Sequence, residues 1–309
     1  MAHVAGRNFE LTAIDNARLE DATICKLIVD EKYIRYVLVE PQDYRVHPPG
    51  ILIDGPDDPA VPFPTLAPAG EWYLGRILKD KKTGKPHFVI ASNADYPFIS
   101  PVSVKDPWHP TRIDYFDKDL HTLRRAVKSA LGCKDQLRMV THPKLLDGRP
   151  VLMKTFDFPM QCHGINIETR AYRALVNTGL TPEFLGHVTA EGRVIGFFLE
   201  WIDMTEDDNE GQGNHISGKS KHPTLADMQL CTAALKCLHA LDIIHNDAHA
   251  ENLIRRLNPI TKDKEVIFID FETAQFTKDP AMKQADMMHM IQRIQIHVTL
   301  ADSFIWIGS

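Results

Sequence analysis

The sequence predicts an α+β protein, with strands dominating its earlier part and helices its later part. Two patterns carry that expectation. Apolar runs rich in Ile, Val, Tyr and Phe come in pairs parted by short polar turns, as at Asp30–Lys32, Leu146–Gly148 and Ala190–Gly192. Further along, apolar residues recur at spacings of three and four, as at Ile167, Ala171 and Leu175 and again at Leu225, Met228, Cys231, Leu235 and Leu238. The length, 309 residues with 44% hydrophobic, is enough for more than one core.

Taken in order, TICKLIVDEKYIRYVLVE reads as two strands about the turn at Asp30. Residues 47–70 are crowded with proline, which lacks an amide donor and fixes φ, so an extended loop is expected. Trp72–Leu78 and His87–Ser92 form a second hairpin around a charged turn with Gly84. From Lys118, the spacing of Leu120, Leu123, Val127 and Leu131 predicts a helix ending at Gly132, with Arg124, Arg125 and Lys128 on its solvated face. QLRMVTH and RPVLMKTFDF are the next strand pair, and INIETRAYRALVN is a helix stopping at Gly179. FLGHV and RVIGFFLEWID follow as strands, with Val194–Leu199 buried on both faces. The polar stretch 203–221 is a surface loop. PTLADMQLCTAALKCLHALDI is the clearest helix, opened by Thr224 and Asp227 in a near capping box; Met228, Cys231 and Cys237 are read as core. A last helix spans about Ala281–Thr299.

Composition excludes several classes. A net charge of -6 and a pI near 6.2 give no global basic excess for nucleic acid or an anionic membrane. Five cysteines without a C-x-x-C suggest neither a disulfide framework nor a zinc site. No apolar leader and no run of about 18 apolar residues is present, so the expected location is cytoplasmic.

The chemistry concentrates between Ile243 and Ala274. His245, Asp247 and Asn252 stand in the spacing H-x-D-x-x-x-x-N, and Asp270 closes the apolar run Val266–Ile269. An Asp at the end of a buried strand is presented at a rim. Asp247 can accept a proton from a hydroxyl, and Asn252 and Asp270 can offer the hard oxygens that magnesium prefers. Asn and Asp also favour turns, which is the competing reading of either half alone. Upstream, Lys154 has its stem among Val151, Leu152 and Phe156, and Glu168 lies on the following helix.

Lys154, Glu168, the segment after Leu199, HNDAHAEN and Asp270 occur in the order of the protein-kinase-like phosphotransferases. The chain resembles the fungal-type protein-kinase-like and aminoglycoside/choline-kinase-like branch over about residues 136–290, with WHPTRIDYF as an upstream likeness. The resemblance implies a bilobal kinase-like fold: a β-rich extension with a Pro-rich linker at 1–115, a small β-rich N-lobe at 116–202, and a reduced helical C-lobe at 203–309. It implies ATP and magnesium as cofactors, with a small-molecule or protein hydroxyl as acceptor. Asp247 becomes the base or hydroxyl-orienting group, Asn252 and Asp270 the magnesium ligands, and Lys154 with Glu168 the phosphate-setting pair. The main chain at Glu200 and Ile202 meets the adenine, and His245 packs the loop against the Asp270 segment.

Three departures shape the expectation. No G-x-G-x-x-G precedes Lys154, the corresponding turn being read as THPKLLDGRP. Asn246 stands where protein kinases carry Arg, while His249, where protein kinases carry Lys, matches the His that aminoglycoside kinases often carry. Only 39 residues follow Asp270, without A-P-E, which favours a small-molecule kinase over a conventional protein kinase. The alternatives are a pseudokinase or nucleotide-binding interaction module, and a kinase-fold enzyme with a changed reaction such as nucleotidyl transfer.

Overall fold

The structure is a computed structural model that describes residues 2–4, 7–15, 22–40, 45–47, 51–53, 61–62, 66–68, 71–125, 136–202, 225–257 and 263–304. It is a mixed α+β chain with many strands and few helices, and it divides into two compact units. Residues 1–104, 109–162 and 186–198 make the first unit; 105–108, 163–185 and 199–309 make the second.

The first unit opens with strands β1 (Ala2–Val4), β2 (Arg7–Asp15), β3 (Thr23–Val29) and β4 (Tyr33–Val39). β5 (Arg45–His47), β6 (Ile51–Ile53) and β7 (Val61–Pro62) form a small sheet of their own. β8 (Leu74–Lys79) and β9 (Pro86–Ile90) complete a six-stranded sheet of order β1-β2-β3-β4-β8-β9. Both hairpins expected from the sequence are present. The β3–β4 turn places Asp30 and Glu31 at φ 55° and 52°, and Asp30 offsets that strain by accepting the Asn8 amide at 3.0 Å.

Strand periodicity explains how this sheet is buried on two faces. Cys25, Leu27, Val29, Val37 and Val39 join Phe9, Trp72 and Ile77 in one core. The alternate residues Lys26 and Tyr36 point the other way. Lys26, wholly buried, pairs at 3.2 Å with the equally buried Asp157, whose carbonyl also accepts the Tyr36 hydroxyl at 2.9 Å. Arg35 and the Ile34 amide both reach Glu191.

Asp157 and Glu191 lie just outside the strands of a second six-stranded sheet. Its strands are β10 (Arg112–Asp114), β11 (His121–Arg125), β12 (Leu137–Thr141), β13 (Val151–Thr155), β14 (Phe184–Ala190) and β15 (Arg193–Glu200), in the order β10-β14-β15-β13-β12-β11. The run Val194–Leu199 is buried throughout, as expected.

Two readings are overturned here. The helix expected from Lys118 is not formed over its first part: residues 121–125 are the edge strand β11, paired antiparallel with β12, and Leu123 is 55% exposed rather than on a buried stripe. Its remainder, with Gly132, lies outside the described residues. The turn THPKLLDGRP is likewise not at the lysine's end of its hairpin. Val140 pairs with Val151 beside that turn, whereas Lys154 pairs with Leu137 at the opposite end. The poverty of that turn in glycine therefore has no bearing on what surrounds Lys154.

The second unit holds helices α1 (Cys162–Ala174), α2 (Leu225–Ala240) and α3 (Pro280–Phe304). Two short antiparallel pairs lie between the last two. β16 (Ile243–Ile244) pairs with β19 (Gln275–Phe276), and β17 (Leu253–Leu257) with β18 (Lys264–Phe268). The α2 stripe is narrower than its spacing implies. Cys231, Leu235 and Leu238 are buried, but Leu225 is 77% exposed and Cys237 is exposed. Thr224 lies outside the described residues, as does the 203–221 stretch, and Asp227 instead binds Arg255 at 3.2 Å. On α1, Ile165, Glu168 and Tyr172 are buried, as is Leu175 just past its end, while Ile167 is only partly so. No helix among the described residues is long and apolar enough to cross a membrane.

Candidate active site

β16 delivers the chain to His245, and β18 delivers it to Asp270. Both strands are short and end on buried apolar residues, Ile243–Ile244 and Val266–Phe268, so the polar residues that follow them start from fixed points. Beyond each strand stands one non-glycine residue in the left-handed region, Asn246 at φ 63° and Asp270 at φ 63°. Asn and Asp tolerate that region better than most side chains, which suits these residue types to a sharp turn.

The two segments are laced together. His245 donates from Nε2 to the Ile269 carbonyl at 3.0 Å and accepts the Asp247 amide on Nδ1 at 3.3 Å. Its ring is buried against Phe268 and Phe271, with centroids 5.5 and 4.8 Å away. Burial lowers its pKa, and both nitrogens are engaged, so the ring is a neutral brace. The Asn246 side chain donates to the Thr273 carbonyl at 2.9 Å, and Thr273 Oγ1 donates to the His245 carbonyl at 3.0 Å. The Ile269 amide donates to the Asn252 carbonyl at 3.1 Å.

Within this frame the Asn252 amide group donates to the Asp247 carbonyl at 3.0 Å and to Asp247 Oδ2 at 3.2 Å. That use of Nδ2 leaves Oδ1 as the atom of Asn252 suited to a cation. His249 caps the short helical turn 250–252 by accepting the Glu251 amide on Nδ1 at 3.3 Å, and its Nε2 lies 3.5 Å from Asp247 Oδ2. The other Asp247 oxygen is paired with Arg293 of α3.

Asp270 is grouped with two further carboxylates. Glu168, Asp270 and Glu272 offer oxygens within 4.8 Å of one another. Glu272 fits beside α1 because position 164 is glycine: a Cβ there would stand 3.3 Å from three Glu272 side-chain atoms. Tyr172, one turn beyond Glu168, stacks edge-on against Phe271 at 5.5 Å. Burial, together with the charges of Glu168 and Asp270, pushes its phenol well above the ordinary range, so it stays neutral.

Asp247, Asn252, Asp270 and Glu168 are thus all in the second unit. Glu200 is there too; its amide donates to the Glu183 carbonyl at 2.9 Å as the last rung of β15. Lys154 is a buried residue of β13, in the first unit.

Sequence reasoning missed three participants on the helices: Asp286, Arg293 and Tyr172. Asp286 accepts the His245 and Asn246 amides, each at 2.9 Å, and faces His239 Nε2 at 2.9 Å. Burial would raise its pKa, but His239 and the two amides outweigh it and hold the carboxyl below its usual value. A signal did exist. Asp286, Met290 and Ile294 are spaced as one buried stripe, and a carboxylate at the head of such a stripe needs partners.

Comparison with protein-family models and with curated proteins gives no match for this chain.

Proposed function

We propose that the chain is an ATP- and magnesium-dependent phosphotransferase with a bilobal kinase-like fold, acting on a small-molecule hydroxyl. The observation that carries this reading is the bond from Asn252 Nδ2 to Asp247 Oδ2, in a loop braced by His245 against the residue before Asp270. It sets a proton acceptor beside one oxygen donor and ties their loop to the residue before a second, which supports a phosphoryl-transfer reading.

The steps assigned to this chain's residues are few. Asp247 orients the acceptor hydroxyl. As the acceptor oxygen bonds to the γ-phosphorus and the bond to the ADP oxygen breaks, the hydroxyl proton passes to an Asp247 carboxylate oxygen. Asn252 Oδ1 and an Asp270 oxygen would hold magnesium, which would supply charge neutralisation at the phosphates. The roles of Lys154 and Glu168 at the phosphates, and of the Glu200 and Ile202 main chain at adenine, rest on their order in the sequence. Most of the acceleration then comes from positioning and charge rather than covalent chemistry.

The test is ADP release and thermal stabilisation by ATP with magnesium. Asp247→Ala is expected to lower turnover by about 100-fold or more while the protein still melts cooperatively. A wild-type protein with neither an ATP-dependent shift nor ADP release, in magnesium or manganese, refutes the proposal.

A further inference from the structure

We propose that Arg293 and His249 make this site selective for an acceptor that carries an anionic group, a carboxylate or a phosphate, beside its reactive hydroxyl. The inference rests on the phosphotransferase reading for the word acceptor, and on the geometry around Asp247 for the charge.

Among the described residues, the side chains that meet the Asp247 carboxylate are all donors. Arg293 holds Oδ1, and Asn252 Nδ2 holds Oδ2 at 3.2 Å. His249 Nε2 stands 3.5 Å from Oδ2, and because Nδ1 accepts the Glu251 amide, Nε2 is the nitrogen that carries the proton. A hydroxyl that is to hydrogen-bond Asp247 must therefore approach past a guanidinium and an imidazole N–H.

Arg293 is a permanent cation with five N–H donors in a planar fork. Its side chain remains 48% exposed after pairing with Asp247, so the guanidinium keeps donors open to whatever lies beside that carboxylate. Exposed His289 is one helical turn before it on α3, adding a second nitrogen base to that side of the helix. A cationic acceptor would be repelled there, and a neutral one would strip water from the guanidinium without replacing it. A carboxylate or phosphate two or three bonds from the hydroxyl satisfies the fork while the hydroxyl reaches Asp247.

The placement of Arg293 is not accidental to the fold. Asp286 is anchored by the His245 and Asn246 amides, and Arg293 follows it by seven residues, two helical turns, on the same helix. The anchoring that braces the loop therefore also sets the guanidinium at Asp247.

Three probe pools matched in size decide the matter: hydroxycarboxylates (glycolate, glycerate, 3-hydroxybutyrate), neutral polyols (ethylene glycol, glycerol) and amino alcohols (ethanolamine, choline). Binding to the full chain is read by ligand-observed NMR with magnesium and a non-hydrolysable ATP analogue, and turnover by ADP release with ATP. The anionic pool is expected to bind about tenfold or more tightly than the others. Arg293→Gln removes that preference and Arg293→Lys restores part of it, with circular dichroism confirming the fold of both. Equal or tighter binding of the neutral or amino pool overturns the inference, as does no binding of the anionic pool. An Arg293→Gln protein that turns over every pool faster also overturns it, since the guanidinium is then a plug. Anionic binding without ADP release sustains the charge preference and refutes the transfer reaction.

Discussion

The carboxylate of Asp286 accepts the backbone amide of Asn246 at 2.9 Å, so a helix late in the chain holds the turn from which Asp247 projects. The same carboxylate takes the His245 amide and His239, and it is buried. Asp286→Ala leaves these donors unmet inside the protein, at about 1–3 kcal/mol for each unsatisfied group. A loss of about 3 kcal/mol is expected in urea unfolding, with Asp286→Asn intermediate because it keeps one acceptor oxygen. The pH dependence has a definite sign. The folded pKa is depressed below 3.8, so this stabilisation is present above that value and lost as pH falls through the lower, folded value. Asp286→Asn is expected to flatten the acid limb of stability against pH.

His245 supplies a second titration, in another window. Burial depresses its folded pKa below 6.5, so the unfolded chain takes up the proton more readily than the folded one. Stability is then full above that value and falls as pH drops from it toward the folded pKa. Protonation would put a second N–H on Nδ1, facing the Asp247 amide that it now accepts. Urea midpoints measured from pH 7.5 to pH 5 should fall in the wild type, and His245→Asn should reduce that slope while lowering stability at neutral pH. An unchanged slope would remove His245 from the account.

The strand pairs were readable because each carries its own local punctuation. Asp30, Leu146 with Asp147, and Glu191 all take positive φ at the turns expected between strands. The spacing of Asp247 and Asn252 is equally local, since one short helical turn separates them. What was not readable is what depends on partners remote in sequence. Leu123 fits a helical stripe as well as it fits β11, and only the pairing of that strand with β12 decides between them. The glycine-poor turn was matched to the wrong end of a hairpin because sequence order does not reveal register; the pairing of Leu137 with Lys154 does. Arg293 left no sequence signal at all, being one exposed arginine on a long helix.

Lys26 did leave a signal, a lysine amid the buried run Thr23–Val29. Its ion pair with Asp157 is fully buried and ties the N-terminal sheet to the chain that leaves β13, three residues beyond Lys154. Removing only the lysine strands a buried carboxylate. Lys26→Met is therefore expected to cost about 3–5 kcal/mol, and adding Asp157→Leu should recover much of it. If the protein binds ATP as proposed, full recovery of stability without recovery of that binding would show that the pair also positions the Lys154 strand. Chemical denaturation and nucleotide-dependent thermal shifts of the two variants separate these effects.

Gly164 offers a test of the carboxylate group that leaves the core intact. A Cβ at this position would press on Glu272 at 3.3 Å, and Glu272 is exposed enough to swing away. Alanine also gains about 1 kcal/mol of helix propensity over glycine in α1. Gly164→Ala is therefore expected to keep the thermal midpoint about unchanged, because the gain in the helix is offset by a contact that includes the Glu272 Cβ at 3.3 Å. If Glu272 helps Asp270 hold a divalent cation, the same change should weaken cation affinity by about tenfold as its oxygen moves off the shared point. Calorimetric titration of manganese into the two proteins reads that affinity directly. Equal affinities would exclude Glu272 as a ligand, and a fall in stability instead would mean that Glu272 is held in place by α1 rather than merely accommodated by it.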